Sequence, residues 1–418
     1  MNEFDESNIT NIEEKRNEKS SKTFIENTKG RKLVRIHNTQ IILNMLVIDV
    51  YYDVIKKSTF MKSPIKVYNG AISDYAITKI LDYAAAQNYI IAKKTLIDHV
   101  YAIGKDHSIN RVAAFFEASR QKWDGISRIE DVFKTLPSKT VKWYALAGFT
   151  KWCIQAVRLA SNEDGNMNQE FILVLQGGQG AGKTTWFKGL FDPIKEYFKE
   201  GLDLNPSNKD SVIECIQNFI VELGELDATM KHEQSRLKAF ITRSSDEVRK
   251  PYGALTEITP RQTVLCATVN EEQFLKDKTG NRRYVIIKLH DDEMIERLNH
   301  IDLDQFWGEI AALAFDGADH KLNPEERKHQ FIENDNFELL SDAEIRVESG
   351  FNWSTPKDQW HRVSTANICE TLGLPAKSKN VGQALKKRGC KSHEKPRGWT
   401  VPPFTTDRYK GKGMLFDL

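Results

Sequence analysis

The sequence is organised around residues 171–186, which read FILVLQGGQGAGKTTW. The first five residues are apolar without alternation, which is typical of a strand buried on both faces of a parallel sheet. The stretch from Gly177 to Thr184 then matches the pattern G-x-x-x-x-G-K-[ST] at every defined position. Glycines let successive backbone N–H groups turn inward around phosphate oxygens, and the next helix points its positive N-terminal end at the same phosphates. The stretch therefore predicts a nucleoside triphosphate site.

The phosphate-binding loop (P-loop) and its ligands follow from this match. Lys183 is expected to reach the β- and γ-phosphates, and the Thr184 hydroxyl is expected to ligate Mg²⁺. We therefore expect ATP and Mg²⁺ as the bound ligands. The predicted nucleotide-binding residues are Gly177, Gly178, Gln179, Gly180, Ala181, Gly182, Lys183, Thr184 and Thr185.

A second apolar run ends in acidic residues about forty positions after the P-loop. It reads NFIVELGEL over residues 218–226. In a P-loop fold we expect the strand beside the P-loop strand to end next to the Mg²⁺, where an acid can hold the ion and polarise the attacking water. We predict that Glu222 lies nearer the Mg²⁺ and that Glu225 lies nearer the attacking water. The division of roles between them is left open.

Three further residues are candidates for catalysis. Asn270 ends another buried run, TVLCATVN over residues 263–270, and is placed to orient a water near the γ-phosphate. Arg282 and Arg283 follow twelve and thirteen residues later, before the apolar run 284–289. Their guanidinium groups can stabilise the charge that develops on the γ-phosphate, either in the same chain or in a neighbour.

Residues 246–258 predict a hairpin with Pro251 and Gly253 near its tip. The tip displays two cations and an aromatic ring, from Arg249, Lys250 and Tyr252. Phosphate charge and base stacking are what single-stranded nucleic acid offers to such a tip, so we predict a DNA-gripping element here.

The C-terminal region carries a local basic surplus that the net charge of +2 for the whole chain conceals. From Lys377 to Lys412 there are eleven Lys or Arg residues against two acids. A capped helix over 364–373, a second helix ending in Lys386, Lys387 and Arg388, and a turn with Lys395 and Arg397 predict a winged helix. Such a module contacts DNA or docks a protein, and both readings remain open.

The composition argues against a largely disordered, a secreted and a membrane-spanning protein. With 40% hydrophobic residues the 418-residue chain can build two or three packed domains. The first 30 residues are polar and predict a disordered tail. Five scattered cysteines without a CxxC pair favour buried thiols in a reducing compartment. No signal peptide or membrane-length apolar run is present, so we expect a cytoplasmic protein without a membrane partner.

Seven motifs, in order, resemble the virulence-associated protein E family over roughly residues 65 to 400. They are WDGISRIE, QGGQGAGKTT, FIVELGELD, the stretch from LKAFITR to RKPYG, TPRQTV, TVNEEQFLKDKTGNRRY and the closing GW. That family occurs in phages and chromosomal islands and is similar to superfamily 3 helicases of the AAA+ class. The resemblance implies that Asn270 is sensor 1, that residues 249–257 form the DNA-gripping hairpin, and that Arg282 is the arginine finger, with Arg283 a second candidate.

The resemblance also implies an architecture and partners. We expect an α/β protein with an AAA+ P-loop core at 166–335, an N-terminal mostly helical collar or oligomerisation domain at 31–165, and a C-terminal winged helix at 341–418. A homo-oligomeric ring, a hexamer, would pull single-stranded DNA through its pore, with a primase as a separate chain. The expected function is an ATP-dependent DNA helicase or translocase that replicates a mobile element. The alternatives are a nucleotide-switched DNA-binding protein without strand separation and, less favoured, a P-loop kinase.

Overall fold

The structure is a computed structural model that describes residues 23–224, 234–249, 256–275, 281–290, 294–375, 379–394 and 397–405. The chain divides into two compact units. The first unit comprises Met1–Glu272 and Thr279–Asn334, and the second comprises Gln273–Lys278 and Asp335–Leu418. The first unit is a mixed α/β structure built on a parallel sheet.

The first unit begins with a small module that has its own core. Its elements are α1 (Ile36–Met45), β1 (Asp49–Asp53), β2 (Ser58–Lys62), β3 (Gly70–Ala71), α2 (Asp74–Ala86), α3 (Lys93–Asp106) and β4 (Ser108–Ile109). The strands form a sheet of order β3-β2-β1-β4, and the helices bury Leu43, Ile80 and Val100 beside it. The sequence prediction described this region as mostly helical and did not specify this sheet.

Three helices follow the module and pack into the core of the large parallel sheet. They are α4 (Arg111–Lys122), α5 (Ile129–Lys134) and α6 (Lys142–Ala160). The apolar stripe of α6 lies on the large sheet, where the Trp152 indole N–H donates to the Leu265 carbonyl at 3.0 Å. A Cβ at Gly148 would come within 2.5 Å of a Val285 methyl group, so only glycine allows this approach. The sequence prediction grouped these helices with the N-terminal region. In the structure they share a core with the five-stranded sheet.

The rest of the first unit alternates strands and helices. In chain order the elements are β5 (Ile172–Gln176), α7 (Lys183–Leu190), β6 (Phe198–Lys199), α8 (Lys209–Ile216), β7 (Ile220–Leu223), α9 (Gln234–Ile241), β8 (Ser245–Arg249), β9 (Thr256–Pro260), β10 (Val264–Val269), β11 (Tyr284–Lys288), α10 (Leu303–Phe315) and α11 (Pro324–Asp335). Strands β8 and β9 form a separate antiparallel pair.

The five-stranded parallel sheet has the order β11-β5-β10-β7-β6. The acidic strand β7 is therefore not the direct neighbour of the P-loop strand β5, contrary to the sequence prediction, because β10 is inserted between them. Glu222 is in register with Cys266 of β10, which is in register with Leu173 of β5. The carboxyl ends of β5, β7 and β10 meet at one edge of the sheet, and this edge carries the site.

The described residues of the second unit form three α-helices and a three-stranded antiparallel sheet. Its elements are α12 (Asp342–Gly350), β12 (His361–Val363), α13 (Thr365–Thr371), α14 (Lys379–Lys387), β13 (Lys391–Glu394) and β14 (Arg397–Val401), and the sheet order is β12-β14-β13. Helix α13 has Ser364 as its N-cap, and Val381 and Leu385 of α14 lie in the core of this unit.

Two chemical features accompany this fold. All five cysteines are buried and free of disulfide bonds. Within the ranges that the structure describes, no helix combines the length and the apolar character needed to cross a membrane.

Candidate nucleotide site

The loop between β5 and α7 has the open shape that the motif predicts. Gly180 and Gly182 adopt positive φ angles of 83° and 88°, a conformation that side chains with a Cβ rarely adopt. A Cβ built on Gly178, Gly180 or Gly182 meets no atom within 4 Å. At Gly177, in contrast, a Cβ would lie 3.1 Å from the Cβ of Leu289. The glycines thus leave a hollow above the loop that an anion can fill.

Lys183 is buried and holds the loop together. Its Nζ donates to the carbonyl oxygens of Gly177 and Gly178, at 2.8 and 2.7 Å, and to Oδ1 of Asn270 at 2.9 Å. Burial lowers the pKa of Lys183, and the nearby Glu222 carboxylate opposes this shift. The structure thereby brings Lys183 and Asn270, predicted separately from two motifs, into direct contact.

The carboxylate of Glu222 is buried and fixed by three donors. Oε1 accepts from the hydroxyls of Thr268, at 2.6 Å, and Thr184, at 3.2 Å, while Oε2 accepts from the backbone N–H of Gly201 at 2.7 Å. Glu222 thus spans the inserted strand β10 and reaches the P-loop threonine. Glu225, its predicted partner, lies outside the described residues.

The residues around Thr184 fit a magnesium ion. A hydroxyl and a carboxylate oxygen stand side by side there, and Mg²⁺ prefers oxygen ligands while keeping several waters and phosphate oxygens. Among the described residues no group of three or more His, Cys, Asp or Glu forms a protein-only metal site. A magnesium ion held by Thr184 and Glu222 would consequently complete its coordination with nucleotide and water.

A cleft of about 870 Å³ opens beside the P-loop. Gly180, Gly182 and Thr185 line one side, and the segment from Met294 to Asp304 lines the other. The two sides are joined where the Ile295 N–H donates to the Ala181 carbonyl at 3.2 Å. Gln179 is exposed at the tip of the loop. The cleft is within the size range of small-molecule sites and continues the phosphate hollow.

Arg282 and Arg283 lie away from the P-loop of their own chain. They belong to a short 3-10 helix, Asn281–Arg283, that precedes β11. Tyr284 pairs with Ile172 at the start of the P-loop strand, whereas the P-loop follows its end. The four residue steps along β11 span ~13 Å, which exceeds the length of an arginine side chain. Arg282 is exposed, and Arg283 Nε donates to the Lys238 carbonyl at 3.2 Å.

The predicted DNA-gripping hairpin corresponds to β8 and β9, which pair from Ser245 with Pro260 to Arg249 with Thr256. Lys250, Tyr252 and the side chain of Arg249 lie outside the described residues. At the base of the hairpin, Arg261 Nε and Nη2 donate to the Asp246 carboxylate, each at 2.5 Å. Both side chains are buried, so this ion pair fixes where the hairpin leaves the core.

Removing one partner of this buried pair should destabilise the protein strongly. The Asp246→Ala variant leaves the Arg261 guanidinium buried without its counter-charge, which costs about 3–5 kcal/mol of unfolding free energy. Urea denaturation of the variant and the wild-type protein measures this difference. Lys195→Ala is the control, because Lys195 and Asp192 form an exposed pair whose loss should change stability little. Equal losses in the two variants would contradict the anchoring role.

The basic residues of the second unit are only partly available for a ligand. Lys387 pairs with Asp335 at 2.8 Å and lies 3.7 Å from Glu338, and Arg388 pairs with Glu348. Lys386 and Arg397 are exposed, whereas Lys395 lies outside the described residues. Two of the cations predicted to contact DNA are therefore partly neutralised by acids of their own unit.

Sequence reasoning missed Thr268 and Gly201, which hold Glu222, and the segment that closes the cleft. Thr268 had a usable signal, since it precedes Asn270 by two residues and so faces the same side of the strand. The backbone N–H of Gly201 and the segment 294–304 carry no motif.

Comparison with known proteins gives one family match and several distant structural likenesses. The model of the virulence-associated protein E-like domain matches residues 118–339, more than half of the chain. No curated protein matches. The apo structure of the NrS-1 C-terminal region (305–718) is 11% identical, with 87% of this chain and 98% of that chain covered and a TM-score of 0.46. The X-ray structure of JCV helicase is 13% identical, with 72% and 84% covered and a TM-score of 0.26.

Proposed function

Because the chain belongs to the virulence-associated protein E-like family, we propose that it is an ATP-dependent DNA helicase or translocase that serves the replication of a phage or mobile genetic element. The observation that carries this proposal is the convergence of Lys183, Asn270, Thr184 and Glu222 at one edge of a parallel sheet. Lys183 bonds to Asn270, and the adjacent Thr184 bonds to Glu222, so the proposed phosphate ligand, water-orienting amide and metal ligands lie side by side, which suits hydrolysis of a nucleoside triphosphate.

The P-loop binds the phosphates of ATP through its backbone and Lys183. Without an anion, the Lys183 ammonium donates to two loop carbonyls and to Asn270. When phosphate oxygens enter the hollow, they offer it stronger, charge-assisted partners. Thr184 and Glu222 are the residues that would hold Mg²⁺, and the ion would supply neutralisation of the charge on the phosphates.

Asn270 and Glu225 are the residues that prepare the attacking water. The Asn270 amide follows the end of β10 and contacts Lys183, so its Oδ1 becomes available to a water near the γ-phosphate when Lys183 turns to the phosphates. Glu225 follows the buried strand β7 by two residues and is the proposed general base. Glu222 is committed to three donors of its own, which favours Glu225 for the proton transfer.

Hydrolysis can reach the hairpin through a short, stiff path. The chain passes from β9 through Arg261 directly into β10, whose far end carries Asn270. The six residues of β10 lie between two strands of the sheet, and their five steps span ~17 Å. A displacement of Asn270 on loss of the γ-phosphate is therefore passed along β10 to the buried Asp246–Arg261 pair and to the hairpin.

The proposed assembly is a homo-oligomeric ring, a hexamer, with single-stranded DNA in its pore and a primase as a separate chain. Arg282 lies near the start of strand β5, whereas the P-loop follows the end of that strand. This position supports a role in a neighbouring subunit. In the second unit, the element order from α12 to β14 supports a winged helix over residues 341–418. The ion pairs of Lys387 and Arg388 leave Lys386 and Arg397 as its proposed DNA contacts.

Replacing Lys250 or Tyr252 with alanine should abolish unwinding and preserve basal ATP hydrolysis. Stacking of one base on an aromatic ring contributes ~1–3 kcal/mol, and neither residue belongs to the nucleotide site. Strand separation and ATPase rates, measured on the same preparations with and without single-stranded DNA, provide the test. Tyr75→Ala is the matched control, because Tyr75 is an exposed tyrosine of the N-terminal module.

The same measurement separates the proposal from its main alternative. If the wild-type protein hydrolyses ATP and binds DNA but never separates strands, it is a nucleotide-switched DNA-binding protein. If both hairpin variants unwind like the wild-type protein and keep its affinity for single strands, the hairpin does not grip DNA.

A further inference from the structure

Helix α11 presents its side chains in the reverse of the usual arrangement. Its inner face consists of polar residues, Glu326, Gln330 and Asn334, and all three are buried. Its outer face carries Phe331 and Ile332, which retain 51% and 56% of their accessible surface. Helices at the surface of a globular protein normally bury the apolar stripe. Helix α11 instead leaves its apolar residues exposed and buries polar ones.

The polar contacts of the inner face prevent rotation of α11 about its own axis. The Gln330 amide donates to the carbonyls of Arg282 and Tyr284, at 3.1 and 2.8 Å. The Asn334 amide donates to the carbonyls of Asn281 and Tyr284, at 2.7 and 3.0 Å. These bonds satisfy carbonyl groups at the start of β11, the edge strand of the sheet. Rotation of α11 to bury its apolar residues would break all four bonds.

The exposed apolar surface extends onto α6. The Trp143 side chain is also exposed, and its ring lies 5.0 Å from the His329 ring of α11. His329 is one helical turn before Ile332, so the two share one side of the helix. We call Trp143, Phe331 and Ile332 the α11 patch.

From this inversion we infer that the α11 patch is the surface on which a second copy of this chain docks, next to the P-loop cleft of that copy. The inference rests on the proposed function, in which one subunit supplies Arg282 to the ATP site of the next. Gln330 of helix α11 holds the backbone that carries Arg282, so the patch and this exposed arginine belong to the same packed part of the subunit.

Charge and apolar surface on the P-loop cleft complement the patch. The cleft is lined by one cation, Arg297, and by four acids, Asp192, Glu296, Asp302 and Asp304, of which Asp192 pairs with Lys195. Met294, also in the lining, retains 68% of its accessible surface. On the opposing surface, exposed Lys328 lies one turn before the patch residues of α11, and Arg282, also exposed, is held through its carbonyl by Gln330 of the same helix. An apolar patch with cations facing an apolar rim with acids gives a head-to-tail contact, which closes into a ring when the rotation allows.

The first experiment compares the self-association of Phe331→Glu and Ile332→Glu with that of the wild-type full chain. Sedimentation velocity is measured with and without Mg²⁺ and a non-hydrolysable ATP analogue. We expect each variant to associate at least tenfold more weakly, and each to bind a fluorescent ATP analogue as the wild-type chain does. Ile345→Glu is the control, since Ile345 is 52% exposed on the second unit, outside the proposed contact, and should leave association unchanged.

A second experiment keeps the side chain small and needs no new charge. All five native cysteines are buried, so Phe331→Cys offers one accessible thiol to a maleimide. We expect its labelling rate to fall at least tenfold when the protein assembles, while the rate of Ile345→Cys stays the same.

The outcomes separate the interface from the proposed function. Wild-type association in both charged variants, or a wild-type chain that stays monomeric with nucleotide, overturns the interface. Protection of the Phe331→Cys thiol in the monomer also overturns it, because a segment of the same chain would then cover the patch. A wild-type chain that assembles through the patch yet binds no nucleotide supports the interface and defeats the proposed function.

Discussion

Replacing Lys183 with alanine should lower ATP turnover by at least ~10²-fold, the scale of losing one preorganised donor in a transition state. The ammonium contacts two P-loop carbonyls and Asn270, so the substitution removes both the proposed phosphate ligand and the group that holds Asn270. Burial already disfavours the charged form of Lys183, which lowers its pKa. The fold should therefore survive the substitution. Steady-state ATPase measurements and a thermal melt of the same sample test both expectations.

Lys188→Ala is the matched control for this experiment. Lys188 lies on the same helix, but it is exposed and pairs with Glu200 at 3.3 Å. Its loss removes an equal charge without touching the P-loop, so turnover should remain near that of the wild-type protein. Turnover near the wild-type rate in Lys183→Ala as well would show that this loop is not a catalytic site.

Mixing Arg282→Ala subunits with Lys183→Ala subunits should restore ATPase activity that neither variant has alone. A Lys183→Ala subunit keeps an intact Arg282, and an Arg282→Ala subunit keeps an intact P-loop, so some interfaces in the mixture contain both. An arginine finger contributes ~10³–10⁵ in rate in related phosphoryl transfers. Even a few restored interfaces should therefore exceed the background. The measurement is the ATPase rate of the mixture with DNA present.

Arg283→Ala serves as the comparison for Arg282→Ala. The Arg283 guanidinium donates to the Lys238 carbonyl of its own chain, so its loss should weaken packing around α9 and should not be rescued by mixing. Subunit exchange is verified with fluorescently labelled protein. If subunits exchange and the mixture stays at the level of the single variants, Arg282 does not act on a neighbour's nucleotide, and the nucleotide-switched alternative gains support.

The family assignment was within reach of the sequence, and the match over residues 118–339 confirms it. Prediction of the P-loop strand and of the strand before Asn270 succeeded because fully apolar runs next to a phosphate motif admit few other conformations. The structure places Asn270 and Glu222 beside the P-loop, as their motifs indicated. These contacts depend on residues at strand ends, where position along the chain translates directly into position in the sheet.

Other features were beyond sequence reasoning for physical reasons. The position of β10 between β5 and β7 depends on long-range pairing, which no local pattern encodes. The donor from Gly201 to Glu222 is a backbone N–H. Nearly every residue type has this group, so the sequence does not reveal the contact. The inversion of α11 is hidden as well, since its inner residues are chosen to satisfy carbonyls of a distant strand.

The strand order also has a consequence for how the chain folds. Strand β5 pairs only with β10 and β11 in the sheet, and β10 starts at residue 264. At a synthesis rate of about 5–20 residues per second, several seconds pass between the synthesis of β5 and that of β10. During this time β5, which is apolar on both faces, has no strand to pair with. Unpaired strands of this kind are prone to aggregation. A fragment that ends before residue 264 should therefore collect in the insoluble fraction, whereas one that continues through Lys288 can complete the sheet.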